Sequence, residues 1–176
     1  MAEVKKRRHA REWAVQVLFQ LDMNPTADIG AALEAFWYQI ASSTREDEID
    51  AKRLEFEAQR ESLSEDDISQ VAPPKLRKFA EGLVRGVMSN REAVDEKIAS
   101  YARHWPMHRM GVTERNVLRL AVYEMLFGEG VPAAVCINEA VDLAKFFSST
   151  ASGRFINGIL DRAARDVPHK TVKRDG

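Results

Sequence analysis

The sequence has only one cysteine in 176 residues, and it contains no run of about 18 apolar residues. An internal disulfide is therefore impossible, and no segment is a candidate for a transmembrane helix. The N-terminus is charged and lacks the apolar stretch of a secretory signal, so we expect a cytoplasmic protein. Cys136 stands in an apolar run, which predicts a small buried side chain and not a nucleophile.

Catalytic motifs are missing as well. The chain has neither a glycine-rich phosphate loop nor a Gly-x-Ser-x-Gly nucleophile elbow. His104 and His108 stand four residues apart, but Pro106 lies between them and no cysteine or acid nearby completes a ligand set. No spacing of acids singles out a pair for acid–base catalysis. We therefore expect a protein that is not an enzyme, with no metal and no cofactor.

No segment alternates apolar and polar residues with a period of two, which argues against a sheet. With 45% apolar and 30% charged residues, the composition is that of one ordinary globular domain. Apolar residues instead recur at helical spacing almost throughout. The expected boundaries are a first helix ending at Asn24-Pro25, a second capped by Thr26, a long third from Pro73-Pro74 towards Pro106, a fourth capped by Thr113 and ended by Gly128, a fifth from Pro132, and a last one after Ser148-Ser149-Thr150. Within the third helix, Gly82 and Gly86 either permit close helix contact or only soften the helix.

Positive charge is concentrated at the start of the first helix, in Lys5, Lys6, Arg7, Arg8, His9 and Arg11. No acid occurs between residues 5 and 11, although the helix dipole makes an N-terminus unfavourable for cations. A phosphate would be attracted both by these side chains and by the free backbone N–H groups of the first turn. The block therefore predicts an anionic polymer as partner, with a solvated charged face as the alternative.

Negative charge is concentrated elsewhere, so the net charge of −1 hides an uneven distribution. Residues 44–67 contain ten acids and four bases, which leaves the rest of the chain mildly basic. Apolar residues are sparse there, which is typical of a mobile or marginally helical segment. We expect residues 44–72 to form an acidic insertion between the second and third helices.

Short blocks at both ends of the chain resemble the family of the transcription antitermination factor NusB. They are RRHAREWAVQ at residues 7–16, ERNVLRLAVYE at 114–124, VP at 131–132, INEAVDLAK at 137–145 and RFINGIL at 154–160. The resemblance covers about residues 4–43 and 74–166. It implies an all-α fold, a single NusB-like domain of two packed helical subdomains over residues 1–166, followed by a basic tail at 167–176.

The resemblance also implies a function. NusB-type factors have no catalytic activity; they bind boxA RNA together with NusE, a ribosomal small-subunit protein, in a complex on RNA polymerase, notably during ribosomal RNA transcription. Two alternatives stay open. The chain could be an isolated RNA-binding module of the type found in ribosomal RNA cytosine methyltransferases, or a structural helical adaptor that does not touch RNA.

Carried over residue by residue, the family's RNA-binding surface implies seven contacts: Arg7, Arg8, Arg11, Gln16, Phe19, Arg154 and Phe155. Guanidinium groups hold phosphates, an amide reads a base edge, and a ring offers a stacking face. We expect Arg8 and Arg11 on the exposed side of the first helix. Phe155 also begins the last apolar stripe, so a place in the core is the alternative.

The resemblance further implies a protein-partner contact at Glu114, towards NusE. A first-turn acid that favours the helix dipole is the alternative for this residue.

The chain departs from the family in two places. Ser148-Ser149-Thr150-Ala151 stands where members often have a glycine followed by acids, and the acidic insertion is long. The insertion is expected to be inert, the alternative being a lid that competes with RNA for the basic surface.

Overall fold

A computed structural model describes residues 2–46, 64–128 and 130–167 of the chain, and within these ranges it contains helices and no strand. The α-helices of these ranges are α1 (Ala2–Met23), α2 (Ile29–Glu46), α3 (Glu65–Val71), α4 (Pro74–Ser89), α5 (Arg91–Tyr101), α6 (Val112–Val122), α7 (Ala133–Phe147) and α8 (Thr150–Ala163). A π-helical turn, Tyr123–Phe127, continues α6, and two 3-10 turns cover Met107–Arg109 and Ala164–Asp166. The predicted all-helical fold is confirmed.

The chain divides into two compact units, Met1–Arg85 and Gly86–Gly176. In the first unit α1 and α2 bury their apolar stripes against each other, as the helical periodicity predicts. The rings of Trp13 and Trp37 meet edge to face with centroids 5.3 Å apart. The indole of Trp37 also donates a 2.9 Å hydrogen bond to Glu81 Oε1 on α4, so its polar atom is satisfied inside the unit.

The end of the expected acidic insertion belongs to the first unit's core. Ser64 caps α3 in a capping box with Asp67, and Ile68 is buried where α3 packs on α2. Glu65 accepts a 2.9 Å hydrogen bond from Arg77 on α4. The expected insertion is therefore too long at this end, because residues 64–72 belong to the folded first unit. Residues 47–63 of the expected insertion, and 168–176 of the expected tail, lie outside the described residues.

Two predicted helix starts are wrong by a few residues. Helix α2 is capped by Asp28, whose Oδ1 accepts a 2.9 Å hydrogen bond from the N–H of Ala31. Thr26 lies too far upstream for this role and donates to Asn24 Oδ1 instead. Helix α6 begins directly after Gly111, so Thr113 lies inside it. The cap at Ser149, within the predicted turn, is confirmed, because its side chain accepts from the N–H of Ser152.

The prediction of a single long third helix is also wrong. It breaks at Asn90, where the side-chain amide donates a 2.8 Å hydrogen bond to the carbonyl of Gly86 and competes with the helical backbone pattern. Gly86 is confirmed as a site of close approach, because a Cβ there would overlap the ring of Tyr123. Gly82 has no such neighbour within 4 Å.

Helix α6 is the centre of the second unit. Its residues are buried from Asn116 to Val122, and it packs against α5, α7 and α8. One buried cation, Arg119, donates to both carboxylate oxygens of Asp95 at 2.7 and 2.8 Å, and it also donates to Asn116 Oδ1. The predicted burial of Cys136 on α7 is confirmed. In the parts of the chain that the structure describes, no helix is long and apolar enough to cross a membrane.

Candidate nucleic-acid interface

The basic block at the start of α1 is mostly exposed. Lys6, Arg7 and His9 are exposed, and Arg8 is half-buried. Arg11 is different: its exposed fraction is only 4%, so the expectation that it faces solvent is wrong. The reason is helical spacing, because Arg11 precedes Leu18 by two turns and lies on the stripe that forms the core.

Arg11 is accommodated by an aromatic ring on α4. Its guanidinium carbon lies 5.5 Å from the ring centroid of Phe79, and that of Arg7, one turn earlier, lies at the same distance. Both cations therefore interact with the π system of one ring. Phe79 was not predicted as part of this site, because its only signal in the sequence was a position in an apolar stripe.

The remaining candidates of the first unit follow along α1. Gln16 is half-buried, and its Nε2 donates a 3.4 Å hydrogen bond to the carbonyl of Glu12. Phe19 is one of the few large apolar side chains left exposed, with a fraction of 40%. With a rise of 1.5 Å per residue, Arg8 and Phe19 are separated by about 16 Å along the helix. The helix thus presents cations, an amide and a ring in succession.

His9 completes this end of α1. Its Nδ1 lies 2.7 Å from Glu12 Oε2, and its ring meets that of Trp13 with centroids 4.4 Å apart. The imidazole is therefore held against the helix surface between a carboxylate and a buried indole. Glu12 is also the first acid after the block, and it is engaged by His9.

The other two RNA candidates belong to the second unit, in the first half of α8. Arg154 is exposed, whereas Phe155 is half-buried beside the buried Ile156. The Phe155 ring contacts the ring of Trp105 with centroids 6.1 Å apart and planes inclined at 66°. Phe155 thus lies at the edge of the core, half-buried, and its contact with RNA stays a prediction. Trp105 was not among the site residues predicted from the sequence.

Glu114, the candidate for a partner contact, accepts hydrogen bonds from two serines. Its Oε1 lies 2.8 Å from Ser148 Oγ and 2.6 Å from Ser152 Oγ, both near the turn between α7 and α8. Partial burial raises the pKa of this carboxyl, but the hydrogen bonds from Ser152, Ser148 and its own backbone outweigh burial and hold the pKa below its ordinary value. Glu114 is therefore ionised at neutral pH.

These contacts change the meaning of the departure from the family pattern at this turn. The turn has serines where acids are common, but the carboxylate of Glu114 lies against the same serines. A carboxylate is thus present at the turn, supplied by the first turn of α6. The sequence could not show this, because Glu114 and Ser152 are 38 residues apart.

The two histidines considered as metal ligands, His104 and His108, are both exposed. Within the described ranges, no group of three or more histidine, cysteine, aspartate or glutamate side chains could hold a metal ion.

Comparison with known proteins places this chain in a class of all-helical transcription factors that act in antitermination. Residues 38–165 match the NusB family. The transcription antitermination protein NusB of Symbiobacterium thermophilum is 42% identical over 163 residues, with 92% of this chain and 90% of that protein covered. The protein of the same name from Anaeromyxobacter dehalogenans is 38% identical over 163 residues, with 93% of each covered. The chain therefore belongs to the NusB family.

Solved structures agree. NusB of T. maritima superposes with a TM-score of 0.66 at 31% identity, covering 92% of this chain and 93% of that one. A structure of the antitermination factors NusB and NusE in complex with dsRNA has a TM-score of 0.64 at 23% identity, covering 94% of this chain and 98% of that one. At that identity the second match supports the fold alone.

Proposed function

We propose that this chain is a transcription antitermination factor that binds single-stranded boxA-type RNA together with NusE. In this proposal it has no catalytic activity and acts within a complex on RNA polymerase, notably during ribosomal RNA transcription. Membership of the NusB family and the names of its relatives support the first part. The choice of NusE and RNA as partners follows the family resemblance, and a protein of the same fold has been solved in complex with NusE and dsRNA.

One observation carries the proposal: the exposed cations on the first turns of α1 are followed by an exposed ring on the same helix. Lys6 and Arg7 are exposed and Arg8 is half-buried, with no acid among them, and Phe19 supplies a stacking face about three turns later. Cations that hold phosphates and rings that stack on bases are the combination typical of single-strand recognition. Arg11 is buried beneath this surface and supports it through Phe79.

The second unit supplies most of the other contacts of the proposal, and α1 supplies one more. Arg154 and Phe155 extend RNA binding to α8, and Glu114 contributes to the NusE contact through an ionised carboxylate. Gln16, on α1, is assigned to a base edge. Charge separates the two roles, since phosphates require cations whereas a basic protein surface is matched by a carboxylate.

The experiment titrates the whole chain with boxA-like single-stranded RNA, alone and with NusE, at several salt concentrations. Arg7→Ala should weaken RNA binding and flatten the slope of log affinity against log salt by about 0.7. Arg85→Ala is the matched control, because it removes another exposed arginine of the first unit, on α4. We expect this variant to keep the wild-type slope.

A separate titration isolates the NusE contact. Glu114→Gln keeps the size of the side chain and removes its charge, so it should weaken binding of NusE and leave binding of RNA alone unchanged. We expect NusE to increase the RNA affinity of the wild type. No salt-dependent binding of boxA-like RNA by the wild-type chain, with or without NusE, would refute the proposed function.

A further inference from the structure

We propose that the loop between α5 and α6, residues 102–110, is a further element for binding single-stranded RNA, with Trp105 as its base-stacking ring. The inference rests on the proposed function, because it extends RNA binding to residues outside the surfaces named above. Together with Arg154 and Phe155 of α8, the loop would form one continuous surface on the second unit.

The loop combines basic side chains and an aromatic ring on an exposed segment. Its sequence, ARHWPMHRM, contains two arginines and two histidines and no acid, and all four are exposed. Trp105 is 49% exposed, which is unusual for so large an apolar side chain. Basic side chains that alternate with an exposed ring are typical of a surface that follows a nucleic-acid backbone and stacks on its nucleobases.

The loop is anchored at both ends. Met107–Arg109 form a 3-10 turn, and the side chain of Arg115 donates a 3.2 Å hydrogen bond to the carbonyl of Met107. Just before the loop, the hydroxyl of Tyr101 donates a 2.8 Å hydrogen bond to Asp166, and burial together with that carboxylate raises the pKa of Tyr101 to about 12. A surface fixed in this way loses little conformational freedom on binding.

Trp105 is continuous with a surface already assigned to RNA. Its ring contacts that of Phe155 at 6.1 Å, and Arg154 is exposed next to Phe155 in the chain. Charge favours RNA over a protein partner, because the loop has two arginines and no acid and therefore complements a polyanion. Phe146 is more exposed than Trp105, yet the described part of the chain gives it no comparable cluster of bases.

The chain offers a direct spectroscopic test, since its three tryptophans differ in exposure. Trp13 and Trp37 are buried, so Trp105 is the exposed one. Titration of the whole chain with boxA-like single-stranded RNA should quench tryptophan emission, and Trp105→Phe should abolish most of this quenching while retaining a stacking ring. Trp105→Ala should weaken RNA binding by about 5- to 150-fold. Phe127→Ala, which removes another exposed ring of the second unit, should have no effect on either measurement.

The outcomes separate this inference from the proposed function. If the wild type binds RNA but Trp105→Ala retains full affinity and emission is not quenched, the loop is not an RNA contact and the proposed function stands. If Trp105→Ala weakens binding of NusE and not of RNA, the surface is a protein contact and the inference is wrong. If the wild type binds no RNA, both proposals are wrong.

Discussion

Arg11 and Arg7 allow a sharp test of how a buried cation contributes to this fold. Both guanidinium groups lie 5.5 Å from the Phe79 ring centroid, but Arg11 is 4% exposed whereas Arg7 is exposed. The two residues are one helical turn apart and share a chemical type and a ring. Any difference between Arg11→Ala and Arg7→Ala therefore reports on the whole buried environment of Arg11, including its contacts other than the shared ring.

The expected magnitudes follow from that difference. A cation–π contact contributes about 0.5–1 kcal/mol at an exposed site and about 2 kcal/mol when it is desolvated. Arg11→Ala also removes the packing of a buried aliphatic stem, so its total cost should be about 2–3 kcal/mol. For a chain of this length each kcal/mol lowers Tm by about 2–4 °C, which gives a decrease of about 4–12 °C. Arg7→Ala should lower Tm by no more than about 4 °C.

The assay is thermal unfolding followed by circular dichroism, with urea unfolding as a second measurement of the free energy. Combining Arg11→Ala with Phe79→Leu in a double-mutant cycle should give a coupling energy of about 1–2 kcal/mol. Equal stability of the Arg11→Ala and Arg7→Ala variants would refute the reasoning. In RNA titrations the order should reverse, because the exposed Arg7 is the better phosphate contact.

Two further predictions concern the second unit. Ser152→Ala should raise the pKa of Glu114, measured by NMR titration, since it removes a hydrogen bond to the ionised carboxylate. Because the folded-state pKa is lowered, the stability advantage of the wild type over this variant should be present at neutral pH and disappear as pH falls through the folded-state pKa, below 4.5; an advantage that instead grows on acidification would contradict the assignment. Gly86→Ala should destabilise the fold by about 1–3 kcal/mol in urea unfolding, because the new methyl group overlaps a ring. Gly82→Ala, with open space around its Cβ position, should be neutral or stabilising, and equal effects of the two alanines would contradict this account.

Periodicity predicted the helices well and their boundaries less well. The stripes of α1 and α2, the cap at Ser149 and the burial of Cys136 follow from local sequence. The break at Asn90 does not follow from local sequence. An asparagine can hydrogen-bond a carbonyl four residues back in a helix that continues as well as in one that ends, so its presence does not predict a break. The burial of Ile68 does not follow from local sequence either, since an apolar residue in an acidic stretch gives no sign of the surface that buries it.

The candidate site was predicted at the level of residue types, whereas its contacts were not. The sequence and the family resemblance selected the bases of α1, but treated Arg11 as equivalent to its neighbours although its register placed it with the core. Phe79 carried no signal beyond an apolar position, because its role depends on two arginines that approach it from another helix. Long-range partners of this kind are set by tertiary packing.

The α7–α8 turn shows how a side chain from another helix can supply charge to a turn that has none of its own. The sequence has serines at this turn, and taken alone they cannot supply a negative charge at neutral pH. In the fold, Ser148 and Ser152 donate to a carboxylate that belongs to another helix, and their hydroxyl groups favour its ionised form. One negative charge thus lies near the turn, and its position is fixed by two hydrogen bonds. A motif compared only position by position would miss this contact, because Glu114 lies in a different block of the same sequence.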